Sequence, residues 1–391
     1  MTFDPAAVSG NWNYPTKMIV GPGRIAELAD SCRSQGMARP LLITDPGIAA
    51  LPMVADAVVA NEAAGLPTGL FSDVKGNPIG RNVEDGVRAY RQGGHDGVIA
   101  FGGGSGLDAA KAVALMAGQD RPIWDFEDVG DNWTRVKEEG VAPIVAVPTT
   151  AGTGSEVGRA SVITNEQTHE KKIIFHPLML PGVVISDPEL TVGLPPHITA
   201  ATGVDALVHC FEAYCAPGYH PMAEGIALEG MRLIKKFLPR AYHNGGDVEA
   251  RTHMLVAASM GATAFQKGLG GVHSIAHAVG AMYDTHHGLT NAVLLPYVMQ
   301  FNRPAIEGRM DLLCHVLGLK DASYGAVLEW VMQFRADLGI PDTLAHLDVP
   351  DDRSGDVGKL AESDPSTGGN PRPMNAADME AVFLNAVHGR L

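Results

Sequence analysis

The sequence predicts two architectures in series, an α/β domain built on a parallel sheet over residues 1–188 and an all-helical domain over residues 189–391. Two observations carry this. In the first half, short continuous apolar runs end in turn residues and lead into helical patterns, as parallel strands buried on both faces do. From about Asp187-Pro188 the β-rich runs give out, and helical periodicity continues nearly to Leu391. The length of 391 residues fits two to three domains at about 150 residues each. With 46% hydrophobic and 19% charged residues the chain can bury a sizeable core, which excludes a disordered chain.

The elements follow in order. Pro40-Leu-Leu-Ile-Thr44 reads as a strand, with a helix from about Gly47 to Ala64. Asp96-Gly-Val-Ile-Ala-Phe101 reads as a second strand, followed by Gly102-Gly-Gly104 and a helix from Gly106 to Met116. Ala142-Pro-Ile-Val-Ala-Val147 is a further buried strand, ending in Pro148-Thr-Thr150. A boundary near 187–195 precedes helical patterns at Ala201–Tyr214, Met222–Leu238, Ala250–Gln266 and Val272–Met282. The Pro- and Gly-rich segment Glu362–Met374 reads as a loop before a last helix.

A net charge of −15 disfavours nucleic acid and anionic membranes as partners, since both call for clustered Lys and Arg. The longest apolar stretches, such as Val141–Val147, fall far short of the roughly 20 residues of a membrane span. The start MTFDPAAVSGNW lacks the basic and apolar regions of a secretory signal. Cys32, Cys210, Cys215 and Cys314 form no C-x-x-C pair and read as reduced thiols. The expectation is a cytoplasmic protein.

Two loops carry the chemistry of the first half. Gly102-Gly-Gly-Ser-Gly106 lies between a strand and a helix, where bare backbone and a helix N-terminus can admit a phosphate. A tight strand-to-helix turn would use the same residues, and the run does not match G-x-G-x-x-G. Pro148-Thr-Thr-Ala-Gly-Thr-Gly-Ser155 is a second strand-end loop, rich in hydroxyls that can bind phosphate or amide groups or simply cap the loop. Two such loops at the carboxyl edge of a parallel sheet mark the place where α/β sheets take ligands. Asp45 ends an earlier strand, where its carboxylate could accept from ribose hydroxyls or cap the helix beginning at Pro46.

In the helical half, Asp205-x-x-x-His209 puts a carboxylate and an imidazole on one helix face, and a second helix carries His273-x-x-x-His277. His287 follows ten residues later. An Asp and several His converging from two helices could offer three nitrogens and one oxygen to a divalent transition metal, although each His alone could equally be a packed core residue.

These stretches together resemble one family, the iron-containing (group III, iron-activated) alcohol dehydrogenases. The matching segments are Phe101-Gly-Gly-Gly-Ser-Gly-Leu-Asp-Ala-Ala-Lys111, Pro148–Val157, Gly203-Val-Asp-Ala-Leu-Val-His-Cys-Phe-Glu-Ala-Tyr214, Gly270-Gly-Val-His-Ser-Ile-Ala-His277 and His287-Gly-Leu-Thr-Asn-Ala-Val-Leu-Leu-Pro296. The match runs in order from about Pro15 to the C-terminus. It implies a Rossmann-like dinucleotide-binding domain, a helical domain of the dehydroquinate-synthase-like architecture, and a cleft between them. The family's metal ligands fall on Asp205, His209, His273 and His287, and His277 matches a histidine near the nicotinamide that serves as a proton-relay candidate. The pyrophosphate would lie on Gly103, Gly104 and Ser105. Asp108, Thr149, Thr150, Thr153 and Lys172 match positions lining the rest of the cofactor groove, and Asn77 matches an adenosine-side position.

The resemblance implies an NAD(H)-linked enzyme with Fe(2+), or Zn(2+) in its place. It would exchange hydride between nicotinamide C4 and a short-chain alcohol or aldehyde, as a homodimer or larger homo-oligomer. Dehydroquinate-synthase-like chemistry on the same architecture would call for a Lys and Arg cluster near the ligand helices that the sequence lacks. A glycerol-type polyol dehydrogenase or a non-catalytic metal-binding protein could also be built on this architecture. Lys267, six residues before His273, and Arg159, just beyond Pro148–Val157, are expected to favour substrates with an acidic group. Lys267 could instead face solvent or cap carbonyls at the end of a helix.

Overall fold

A computed structural model describes residues 16–168 and 170–391. The N-terminal segment expected to lack a secretory signal lies outside the described residues. The chain divides into two units. One comprises the described residues up to Thr150 together with Gly154–Gly193, and the other comprises Leu194–Leu391 together with Ala151–Thr153.

The first unit holds a six-stranded sheet. Its strands are β1 (Lys17–Val20), β2 (Pro40–Ile43), β3 (Gly69–Phe71), β4 (Gly97–Gly102), β5 (Ile144–Pro148) and β8 (Val183–Ser186). They lie in the order β1-β8-β5-β4-β2-β3. Every pairing is parallel. All residues of β2, β4, β5 and β8 are buried, which explains why they are continuous apolar runs without alternation. From β2 the chain goes outward to β3 and then returns to β4 on the other side of β2. The topological reversal therefore lies between the carboxyl ends of β2 and β4. A separate antiparallel hairpin, β6 (Ala160–Asn165) with β7 (Glu170–Phe175), has no counterpart in the sequence reading.

The helix expected over 47–64 is interrupted. A short helix Pro46–Ala49 ends before Leu51, and a second runs Pro52–Ala63. Pro52 sits in the first turn of the second helix, where its missing N–H costs nothing, whereas inside one continuous helix it would break a bond.

The second unit is helical. The helix Pro196–Cys215 is buried at every position from Thr199 to Cys215, so it is apolar nearly all round and forms the centre of the unit's core. Helices Pro221–His243 and Val248–Ala264 follow, then Gly271–Tyr283 and His287–Ile306. The segment expected as a loop over Glu362–Met374 contains one short 3₁₀ turn, Pro365–Gly369, before the last helix Ala376–His388. Among the described residues, no helix is long and apolar enough to cross a membrane.

Candidate active site

The helical unit gathers its chemistry on three helices, where the sequence pattern implied two. Asp205 and His209 lie on Pro196–Cys215, His273 and His277 on Gly271–Tyr283, and His287 opens a third helix capped by His286. One ligand atom each of Asp205, His273 and His287 lies within 4.8 Å of the others. His287 Nε2 is 3.8 Å and His209 Nε2 is 4.0 Å from Asp205 Oδ1. Two ligands bonded at about 2.1 Å to one ion stand at most about 4.2 Å apart, so both separations suit a shared cation. His209 approaches through Asp205 and lies outside the three-residue group.

The donor set calls for positive charge. Asn291 Nδ2 sits at the convergence, 2.7 Å from Asp205 Oδ1, 3.0 Å from His287 Nε2 and 3.2 Å from His273 Nε2. An amide nitrogen has two hydrogens and here faces three acceptors, so its positive end stands where a cation would satisfy all three. These residues therefore fit a divalent ion. Burial pushes the His209 ring down to about 4, against the pull of Asp205, which leaves it neutral at pH 7 with a lone pair to give. At His273 burial also opposes the charged ring, but the hydrogen bond and charge of Glu212 outweigh it and raise the ring above its usual range.

Residues not singled out from the sequence hold these rings in place. His273 Nδ1 lies 2.6 Å from Glu212 Oε2, and His277 Nδ1 lies 2.8 Å from Asp364 Oδ2. The segment read as a loop grips the helix Gly271–Tyr283 along one face. Asp364 meets His277, Thr367 Oγ1 donates to Ser274 Oγ at 2.8 Å, and Asn370 Oδ1 accepts from Gly271 N at 3.0 Å. Burial alone would raise the Asp364 carboxyl, but the adjacent His277 and hydrogen bonds from Ser366 hold it below its usual range. Spacing offered one signal for Glu212, which continues the Asp205 and His209 face by a further turn.

In the α/β unit, the carboxyl ends of β2, β4 and β5 bring Asp45, Gly103, Gly104, Ser105, Thr149 and Thr150 to one edge. Gly102 has φ +143°, which a side chain rarely adopts, and a Cβ on Gly103 would meet the Thr150 side chain at 3.3 Å. Gly103 caps the helix Gly104–Met116 without a side chain. The hydroxyls of Thr44 and Thr149 are buried there without a hydrogen-bond partner among the described residues. Unfilled backbone donors and orphaned hydroxyls suit a bound phosphate group. Asp45 caps the short helix after β2, its Oδ1 accepting from Ile48 N at 3.0 Å, while Oδ2 lies 3.8 Å from where a Gly102 Cβ would stand. Asn77, left-handed at φ 55°, donates its N–H to Ser105 Oγ at 3.3 Å. Thr153 belongs to the helical unit.

Four residues with expected roles also have partners within the fold. Asp108 accepts from Ser155 Oγ at 2.5 Å and from Val162 N at 3.0 Å, and so braces the second loop and the hairpin from within. Lys172 is paired with Glu127 and Glu170 at 3.2 and 2.8 Å. Strand alternation turns Lys171 the other way, and its Nζ reaches Asn77 Oδ1 at 2.9 Å. Arg159 lies over the Phe175 ring at 5.5 Å. Lys267 has a side chain only 2% exposed, and its ammonium meets Glu224 at 2.7 Å and the Tyr214 carbonyl at 3.3 Å. Arg309 also meets Glu224 at 2.7 Å. The Lys267 charge is answered internally near a helix C-terminus, so it no longer supports the expectation of an acidic substrate. Lys267→Met should lower the melting temperature by a few degrees, for a loss of about 1–2 kcal/mol because Arg309 still answers Glu224. It should leave the ratio of kcat/KM for carboxylate-bearing and plain aldehydes unchanged, and a selective rise in KM for the acidic ones would restore a role for Lys267 in anion recognition.

An α/β unit with a glycine-rich carboxyl edge and a helical unit with an aspartate–histidine metal set define a metal-dependent, dinucleotide-linked class. The comparisons name it. Residues 15–188 match the family model "Iron-containing alcohol dehydrogenase", and residues 199–387 match "Fe-containing alcohol dehydrogenase family, C-terminal". The chain belongs to the iron-containing alcohol dehydrogenase family. It is 36% identical over 380 residues to a 4-hydroxybutyrate dehydrogenase of Cupriavidus necator, covering 95% of this chain and 98% of that one. It is 34% identical to an NAD-dependent methanol dehydrogenase of Bacillus methanolicus, covering 96% and 100%. The crystal structure of a 1,3-propanediol oxidoreductase superposes with a TM-score of 0.91 at 32% identity, covering 96% of this chain and 99% of that one.

Proposed function

We propose that this protein is an NAD(H)-linked, metal-dependent alcohol dehydrogenase or aldehyde reductase acting on short-chain substrates. The observation that carries the proposal is the convergence of Asp205, His273 and His287 on one point in a chain that the family matches over residues 15–188 and 199–387. Asp205, His209, His273 and His287 hold the divalent ion, Fe(2+) in the first instance and Zn(2+) as the alternative, since one carboxylate and three imidazoles accept both. When bound, that ion supplies Lewis acidity to an alcohol or carbonyl oxygen, and the nicotinamide gives or takes the hydride.

The chain's own residues do the rest. Gly103, Gly104 and Ser105 present backbone to the pyrophosphate, with Thr149 and Thr150 lining the groove. Asp364 accepts from His277 Nδ1, fixing the ring so that Nε2 is the atom able to take or give a proton. His277 is 14% exposed, which gives that proton a route to water. Burial of all four thiols, each unpaired, supports a reducing, cytoplasmic location. The family resemblance supports a homodimer or larger assembly.

The test is a screen of NADH oxidation with aldehydes of increasing length in Fe(II)-loaded protein. Absence of turnover across the series in metal-replete protein would remove the enzyme assignment. Cofactor choice has its own test at Asp45, whose Oδ2 is free of the cap and would repel a 2′-phosphate. Wild type should prefer NADH over NADPH by tenfold or more, and Asp45→Gly should narrow that preference while costing only a few tenths of a kcal/mol, because Gly is tolerated at an N-cap. Equal wild-type efficiency with both cofactors would place Asp45 away from the ribose.

A further inference from the structure

We infer that Glu212 is a positioning residue that makes His273 a metal ligand, by accepting at both carboxylate oxygens and so locking the ring proton on Nδ1. The inference rests on the metal site proposed above.

Glu212 is 6% exposed and lies between two donors on the facing helix. Its Oε1 accepts from Val272 N at 2.8 Å, and its Oε2 lies 2.6 Å from His273 Nδ1. The first contact is fixed in sense, because a backbone N–H can only donate. It caps a helix whose own N-cap, Gly270, has no side chain to do so. A Cβ on Gly270 would lie 3.1 Å from Glu212 Oε1 and 2.8 Å from Asn370 Oδ1, so the bare glycine leaves room for both distant caps.

The sense of the second contact follows from the opposite ring nitrogen. Asn291 Nδ2 lies 3.2 Å from His273 Nε2 and 2.7 Å from Asp205 Oδ1. The carboxylate fixes which end of the amide faces it, because Oδ1 of Asn291 turned there would meet another oxygen. Nε2 therefore faces an amide nitrogen, which cannot accept, and carries the lone pair, which leaves the proton on Nδ1 pointing at Glu212. A lone pair on Nε2 is also what coordination needs.

Glutamine has the same shape but one acceptor and one donor. With its oxygen kept on Val272 N, its NH2 faces His273 Nδ1, which must then accept. The ring proton moves to Nε2 and points into the ligand set. With the amide turned over, its NH2 faces the Val272 N–H, and a buried helix N-terminus loses its acceptor. Only a carboxylate satisfies both donors and keeps Nε2 open.

The experiment uses the full chain labelled with ¹⁵N-histidine, and reads ring-nitrogen shifts in metal-free protein and Zn(II) affinity by chelator competition. Wild-type His273 should show the Nδ1–H tautomer. Glu212→Gln should fold, shift His273 to Nε2–H and weaken Zn(II) binding 10- to 100-fold. Glu212→Asp, which keeps two acceptors on a shorter arm, should retain the Nδ1–H tautomer. Wild-type His273 protonated on Nε2 overturns the inference whether or not the variants fold. So does a folded Glu212→Gln protein whose Zn(II) affinity stays within threefold of wild type. If wild type itself binds no divalent metal, the metal site fails instead, and the tautomer readings still decide the role of Glu212.

Discussion

His287→Ala should abolish stoichiometric metal binding and lower kcat/KM for the best aldehyde by about a thousandfold or more. Several kcal/mol of Lewis-acid stabilisation are at stake, and about 4 kcal/mol corresponds to a thousandfold in rate. The side chain is 25% exposed and begins its helix, so removing it opens little cavity and should leave the melting curve close to that of wild type. His273→Ala should remove the metal equally but behave differently in stability. That side chain is 2% exposed, stacks on His209 with centroids 4.8 Å apart, and answers Glu212. Its loss leaves a void and takes the donor from Glu212 Oε2, together worth about 2–4 kcal/mol. Metal analysis of the purified variants with thermal melts alongside separates ligation from packing. Full metal content in both variants would remove the ligand assignment.

How far the site could be read from the sequence depends on how local each contact is. Asp205 with His209, and His273 with His277, share a helical face four residues apart, so periodicity alone places them together. The glycine loop at Gly102–Gly106 was legible for a similar reason, since a buried strand runs straight into it. The residues that tune the site were not. Glu212 and His273 are separated by 61 positions, Asp205 and Asn291 by 86, and His277 and Asp364 by 87. No periodicity links such pairs, and Asp364 lay in a stretch whose prolines and glycines read only as a connection. The same lack hid the partner of Lys267, because Glu224 lies 43 residues away on another helix. A cation seen without its counter-charge looks like a site for an anion, when the counter-charge was already inside the fold.

Strands were missed where the pattern was weakest. β1 is four residues long with a single buried position, β6 alternates buried with half-buried residues, and β7 opens on Glu170-Lys-Lys172 with one buried position, so none shows the continuous apolar run that marked β2, β4 and β5. β2, β4 and β5 were readable because they are continuous apolar runs covered on both faces, whereas β8, equally buried but only four residues long, and the edge strand β3 were also missed.

Gly288→Ala, a single added methyl next to a ligand, should damage the metal site nearly as much as removing the ligand. The helix that His287 opens meets the helix carrying Asp205 at this glycine. A Cβ there would lie 2.6 Å from the Ala201 carbonyl oxygen and 3.1 Å from Asp205 Cβ. Backbone on a fully buried helix cannot step aside as the end of a flexible side chain would, so the two helices must separate locally. His287 Nε2 and Asp205 Oδ1 already stand 3.8 Å apart, against a limit of about 4.2 Å for two ligands of one ion, so a shift of about half an ångström is enough to lose the shared geometry. The expected result is a loss of about 1–3 kcal/mol in stability from overpacking, with at least a tenfold drop in metal affinity beyond it. Gly225→Ala is the control. Gly225 lies within the helix Pro221–His243 with nothing within 4 Å of its added Cβ, so the same change there should stabilise the helix by about 0.5–1 kcal/mol and leave metal binding untouched. Wild-type metal affinity in a folded Gly288→Ala protein would mean that the helices are free to adjust, and that close approach at Gly288 does not set the distance between His287 and Asp205.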